Sequence, residues 1–197
     1  MNGLKWINKT LLIMGLLLVG LTSCGGEKPK QVAEVAIQAE IDENFEQLYS
    51  LLTTKDKEAL TLENFRSFYS IPTELKGALE LIPEAKDIIK AEGFKETVTG
   101  ETATVMFKLI LPDTETMGKL SLSDLQSIAG IKWKNLSELP QEIQDKIVED
   151  VKKNGIPKKE ISKQIKLVRE QDEWKVDINA QKQISENKKI KSIYHED

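Results

Sequence analysis

The sequence predicts an α+β fold, with helices first and an antiparallel sheet after them. Three observations point there. Apolar residues recur at helical spacing from Val32 to Gly93. From Phe94 the period drops to about two, the signature of strands. A stretch of helical character, 120–159, then separates one predicted hairpin from a second at Ile161–Ile178. Runs of helices followed by strands build α+β domains rather than doubly wound α/β ones.

The first helix is predicted over Val32–Leu52, where Ile37, Ile41, Phe45, Leu48 and Leu52 form a stripe, with Glu34, Glu40, Glu43 and Glu46 mostly off it. Thr53 and Thr54 end it, and Asp56–Leu60 can form a further turn. Thr61 suits the N-cap of a helix over Leu62–Tyr69, which Ile71-Pro72 breaks. Thr73 caps the next helix, Pro83 restarts it, and Gly93 is predicted to close it from the left-handed C′ position.

Lys95–Thr99 and Thr102–Leu111 flank Gly100-Glu101 and read as a hairpin. Ala103, Val105, Phe107, Leu109 and Leu111 share one face; Met106 and Ile110 are apolar exceptions on the other. In the second hairpin, Ile165 and Leu167 precede the turn Gln171-Asp172-Glu173, and Trp174, Val176 and Ile178 follow it, with Trp174 expected in the core. Within 120–159, Ser123 caps a short helix ending near Gly130, and Ile131, Trp133 and Leu136 lie in the connection. Leu139, Ile143, Ile147 and Val151 then sit four apart on a helix begun by Pro140 and stopped by Gly155 and Pro157. That stripe has two readings: a helix packed on the domain, or a lid exposed for a partner. Residues 180–197 are mostly polar and read as a tail.

The first 24 residues carry a different message. Lys5 and Lys9 precede the apolar run Leu11–Leu21, interrupted only by Gly15 and Gly20. That run is shorter than the roughly 20 residues needed to cross a bilayer. Two small residues and the only cysteine of the 197 follow, as Leu21-Thr22-Ser23-Cys24. This order is that of a secretory signal, and the four residues resemble the lipobox of bacterial lipoproteins. The resemblance implies removal of 1–23, lipidation of Cys24, and a tether over 24–31 ahead of one domain at 32–179. It also implies a cell-envelope location, domain outside the cytoplasm. Gly25 stands where an Asp would retain the protein at the inner membrane, so the outer membrane is implied by default in a diderm organism. Two or three acyl chains hold a protein to a membrane far more firmly than one.

Loss of Lys5 and Lys9 would leave 26 basic and 32 acidic residues, a charge of −6. Such a surface argues against nucleic acid. With a single cysteine, the fold must be held by packing.

"VTGETATVMFKL" and "IKLVREQDEWKVDI", coming after helices, resemble the nuclear-transport-factor-like (cystatin-like) lipoproteins. Trp174-Lys175-Val176 would be their late Trp-Lys-Val motif, and Gly100–Val105 their strand entry. The resemblance implies that the N-terminal helices pack across a curved antiparallel sheet, with 120–159 inserted between the sheet halves.

No catalytic or cofactor-binding residue is singled out. The lone histidine, His195, stands at the end of the chain, and no phosphate loop, metal-ligand spacing or calcium loop occurs. The acidic pairs Asp42-Glu43, Asp113-Glu115 and Glu149-Asp150 read as solvated faces and turns, not metal sites. Lys152-Lys153 and Lys158-Lys159 form a basic patch around Gly155 and Pro157. Two functions remain in view. One is a non-catalytic module that binds an envelope protein or glycan. The other is a small-molecule binding protein or enzyme using the concave pocket between helices and sheet, where Tyr49 and Tyr69 are the available polar aromatics.

Overall fold

A computed structural model describes residues 27–117, 136–186 and 190–191, without the side chains of 68–70 and 190–191. Cys24, the short helix expected after Ser123, Trp133 and His195 lie outside the described residues.

Helix α1 spans Pro29–Ile41, α2 Phe45–Ser50, α3 Thr54–Ala59 and α4 Leu62–Phe68. Strand β1, Tyr69–Ser70, comes before α5, Thr73–Leu81, and a 3₁₀ helix follows at Pro83–Ile88. Strands β2 (Lys90–Thr99) and β3 (Thr102–Pro112) form the first hairpin. The insertion carries α6 (Gln141–Asn154), and after it come β4 (Lys158–Glu170), β5 (Glu173–Val176), α7 (Ala180–Ser185) and β6 (Ile190–Lys191), which pairs with β1 in parallel.

The α+β class holds, but the curved sheet and its two halves do not. The four main strands lie in the order β2-β3-β4-β5, each antiparallel to its sequence neighbour, in an open sheet. Curling a sheet takes bulges at defined positions. Only β2 has a register shift, between Glu92 and Lys95, and β3 and β4 pair without slip from Thr102↔Val168 to Pro112↔Lys158. The insertion therefore does not divide a sheet. It is the long connection between two strands that remain direct neighbours.

Two helix boundaries also differ from the pattern. The expected helix over 32–52 breaks after Ile41: Glu43 adopts φ 57°, and the Asn44 side chain accepts from the Gln47 amide to start α2. Gly93 closes no helix. It lies inside β2 with φ 71°, at the bulge, a conformation a side chain would strain.

α1 runs along the sheet on one face. Its alanines, Ala33, Ala36 and Ala39, are fully buried and let the helix approach closely, while Val32 and Ile37 fill the space beside them. The sheet answers with Ala103, Val105, Phe107, Leu109 and Leu111, every one buried, as the alternation predicts. Each large side chain so buried contributes about 1.5–3 kcal/mol. The other face of the sheet meets water through Thr97, Gln164 and Lys166, and Lys108 pairs there with Glu160 at 3.0 Å.

The N-cap Lys28 gives α1 no capping side chain, and Gln31 in the first turn accepts from the Lys28 amide at 3.0 Å. Glu96 of β2 accepts from the Lys30 amide at 2.9 Å and sets a carboxylate at the positive end of the helix. This contact places the start of α1 at the end of the sheet that carries both hairpin turns, 99–102 and 170–173; Arg169 donates its amide to Glu101 there. The insertion leaves and re-enters at the opposite end, where the Asp113 amide donates to the Pro157 carbonyl.

Candidate functional site

Among the described residues most of the core falls into three apolar clusters. The first joins α1 and the sheet to α2, α4 and the start of α7 through Leu48, Phe65 and Ala180, and the second lies between α1, α5 and the sheet. Phe94 and Phe107 stack in this interface with centroids 5.5 Å apart, and Phe65 meets Phe45 edge-on. Side chains fill the space in which a concave pocket was expected. Tyr49, one of its two candidate residues, donates its hydroxyl to the Leu60 carbonyl at 2.7 Å and packs on Phe65. The Tyr69 side chain is not among those described.

A polar group that the sequence reading missed locks this body. Asp56 is 1 % exposed. Its carboxylate accepts from the Thr53 hydroxyl at 2.8 Å, the Ile178 amide at 3.0 Å and the Ala180 amide at 2.7 Å. Thr53 in return accepts from the Asp56 amide. The signal was the Thr53-x-x-Asp56 spacing of a capping box, here reaching across the chain to the end of β5. The Leu52↔Val176 bridge covers the edge of β5 beside it.

The third cluster stands apart from the sheet face. Ala78, Ile82 and Ala85, from α5 and the 3₁₀ helix, meet Leu139, Ile143 and Ile147, with Met117 and Leu136 closing it. The α6 stripe thus packs on the domain, the first of its two readings. A spacing of four advances the stripe by about 40° per step on an ideal helix. Leu139, Ile143 and Ile147 are buried, and by Val151 the stripe has turned half out of the interface, with Val148 beside it.

That turn leaves a groove of about 520 Å³. α6 gives one wall through Val148 and Val151, and Leu81, Ile82 and Ile88 give the other, with Ile156 between them. Lys152 and Lys158 stand at its rim, with Glu84 opposite. A second depression, about 410 Å³ between α3 and α7, is more polar, with Lys55, Glu58, Gln181 and Ser185 in its lining. The first groove is the candidate site: it has the size and apolar lining of binding clefts. Its α6 wall was legible as an apolar stripe, and the opposing wall was not.

Ionisation in the described residues follows local structure. Burial, then the charge of Lys175, holds the Lys57 ammonium below the usual lysine range. The Lys175 ammonium, bonded to Glu173, holds that carboxyl low, and the Arg66 guanidinium does the same for Glu46. None of these groups lines the groove. Among the described residues no cluster of His, Cys, Asp and Glu is arranged to hold a metal ion. No helix among them is long and apolar enough to cross a membrane.

Compared with protein families, with curated proteins and with solved structures, the chain matches none of them.

Proposed function

We propose that this chain is a lipid-anchored, non-catalytic binding module of the cell envelope, held at a membrane through Cys24, whose partner is an envelope protein or glycan. One observation carries the binding reading: the apolar surface left open lies between α5 and α6, whereas the helix–sheet interface is filled. A small-molecule enzyme of the concave type would need room and a reactive group in that interface. Its space is taken by Val105, Phe107 and Ile37, and its buried acid Asp56 is saturated by backbone and hydroxyl donors.

The anchor rests on Leu21-Thr22-Ser23-Cys24 and the basic, short apolar segment ahead of it. Cys24→Ala in the full chain is expected to abolish uptake of labelled palmitate and leave the signal uncut. Palmitate labelling that persists in that variant overturns the anchor.

A further inference from the structure

We propose that the groove between α5 and α6 docks a protein partner, and that the docking segment is an apolar helix flanked by acidic residues. Three observations lead to this occupant. The groove walls are helical, and Val148 and Val151 stand one turn apart, half-buried, facing Leu81 and Ile88. An amphipathic helix fills such a trough with side chains spaced three and four apart. The rim is basic, with Lys152 and Lys158 against Glu84, on a chain whose net charge is −4. Complementary charge on the partner is therefore negative.

The third observation is position, and it rests on the anchored reading. From Cys24 to Pro29, where α1 begins, five residue steps span at most about 18 Å. α1 starts beside Glu96, at the hairpin-turn end of the sheet. Lys158, at the groove, pairs with Pro112 at the other end, and the eleven residues of β3 between measure about 35 Å. The groove lies at the end remote from the anchor, so lipid of the same membrane is a poor occupant and an envelope protein a good one.

The test is photocrosslinking in the producing cells, with p-benzoylphenylalanine placed singly at Val148 or Val151 of the full chain. Gln164, on the solvent face of the sheet, is the control position. The expected result is an adduct with one protein from both groove positions and none from Gln164. Its crosslinked peptide should be apolar at helical spacing and bounded by Asp or Glu. Lys152→Glu combined with Lys158→Glu should cut adduct yield at least fivefold at an unchanged melting temperature, and the Gln pair should cut it less. A lipid-sized mass increase, a second copy, or a crosslink back to residues 118–135 overturns the proposal. So does a set of folded variants with no adduct. Palmitate labelling of the same cells reports the anchor separately: adducts without labelling would retain the groove and discard Cys24.

Discussion

The body under α1 and the annex built by α5 and α6 solve the same burial problem differently. In the body, a helix lies along a sheet whose inward residues alternate, and a buried carboxylate fastens the segment after β5 over it. In the annex, a helix whose stripe winds meets a short 3₁₀ element, and the contact runs out before the helix does. The two share α5, which sends Leu75 to the sheet cluster and Ala78 to the annex. A matched period seals an interface from end to end. A mismatched one leaves a groove where the stripe departs, and the groove becomes available for binding.

The largest expected effect falls on the body. Asp56→Ala removes an acceptor from the Ile178 and Ala180 amides, of which Ala180 is completely buried. Lost bonds to a charged group and stranded donors together cost about 4 kcal/mol. Denaturant melts check this, and a loss under about 1 kcal/mol would mean that the segment after β5 is not fastened there.

Ile147→Ala tests whether the annex is a separate unit. Emptying a site that is 1 % exposed should cost about 3 kcal/mol. If the annex opens alone, hydrogen exchange accelerates through 143–151 while β3 stays protected. Equal acceleration in β3 would merge the two regions into one cooperative unit and blunt the comparison. Trp174→Ala should have a smaller effect than either. The side chain is half-buried against the first cluster, so about 2 kcal/mol is expected, below the ~3–5 of a fully enclosed aromatic. A melt showing the full cost would place Trp174 deeper in the body.

What the sequence revealed follows from the range of the forces involved. Alternation named the buried face of β3 correctly, and the Asn44 break in the first helix was missed although Asp42-Glu43-Asn44 favours a helix end. Met106 and Ile110 share the other face of β3 and look alike in the pattern, yet one is 54 % exposed and the other 7 %. Local periodicity does not separate the two. The open sheet is similar. That it stays open goes with an unbroken β3–β4 register between strands separated by a long insertion, whereas curvature was expected from resemblance. Of the candidate site, the α6 wall was legible as a stripe. The wall from Leu81 to Ile88 was not, because Pro83 changes the helix type and scatters the apolar residues round it.

The smallest effect concerns the entry to the insertion. Asp113 accepts from the Thr116 amide at 3.1 Å and the Thr116 hydroxyl at 2.6 Å, and its carbonyl accepts from the buried Met117. Burial alone would raise the carboxyl, but the Thr116 bonds outweigh it, with Lys159 adding to them, and the group sits below the usual aspartate range. A depressed folded-state value stabilises the fold above the unfolded value of about 3.9, and that contribution is lost as pH falls through the folded value. Asp113→Ala should cost about 1 kcal/mol at pH 7, the usual cost of losing a cap. Asp113→Asn keeps an acceptor without the charge and should cost roughly half as much. Melts of the wild type and the Asn variant should therefore converge below about pH 4. A gap that stays constant from pH 7 to pH 3 would show that the charge contributes nothing, and would leave the entry to the annex held by the backbone bonds of Asp113 and the packing of Met117.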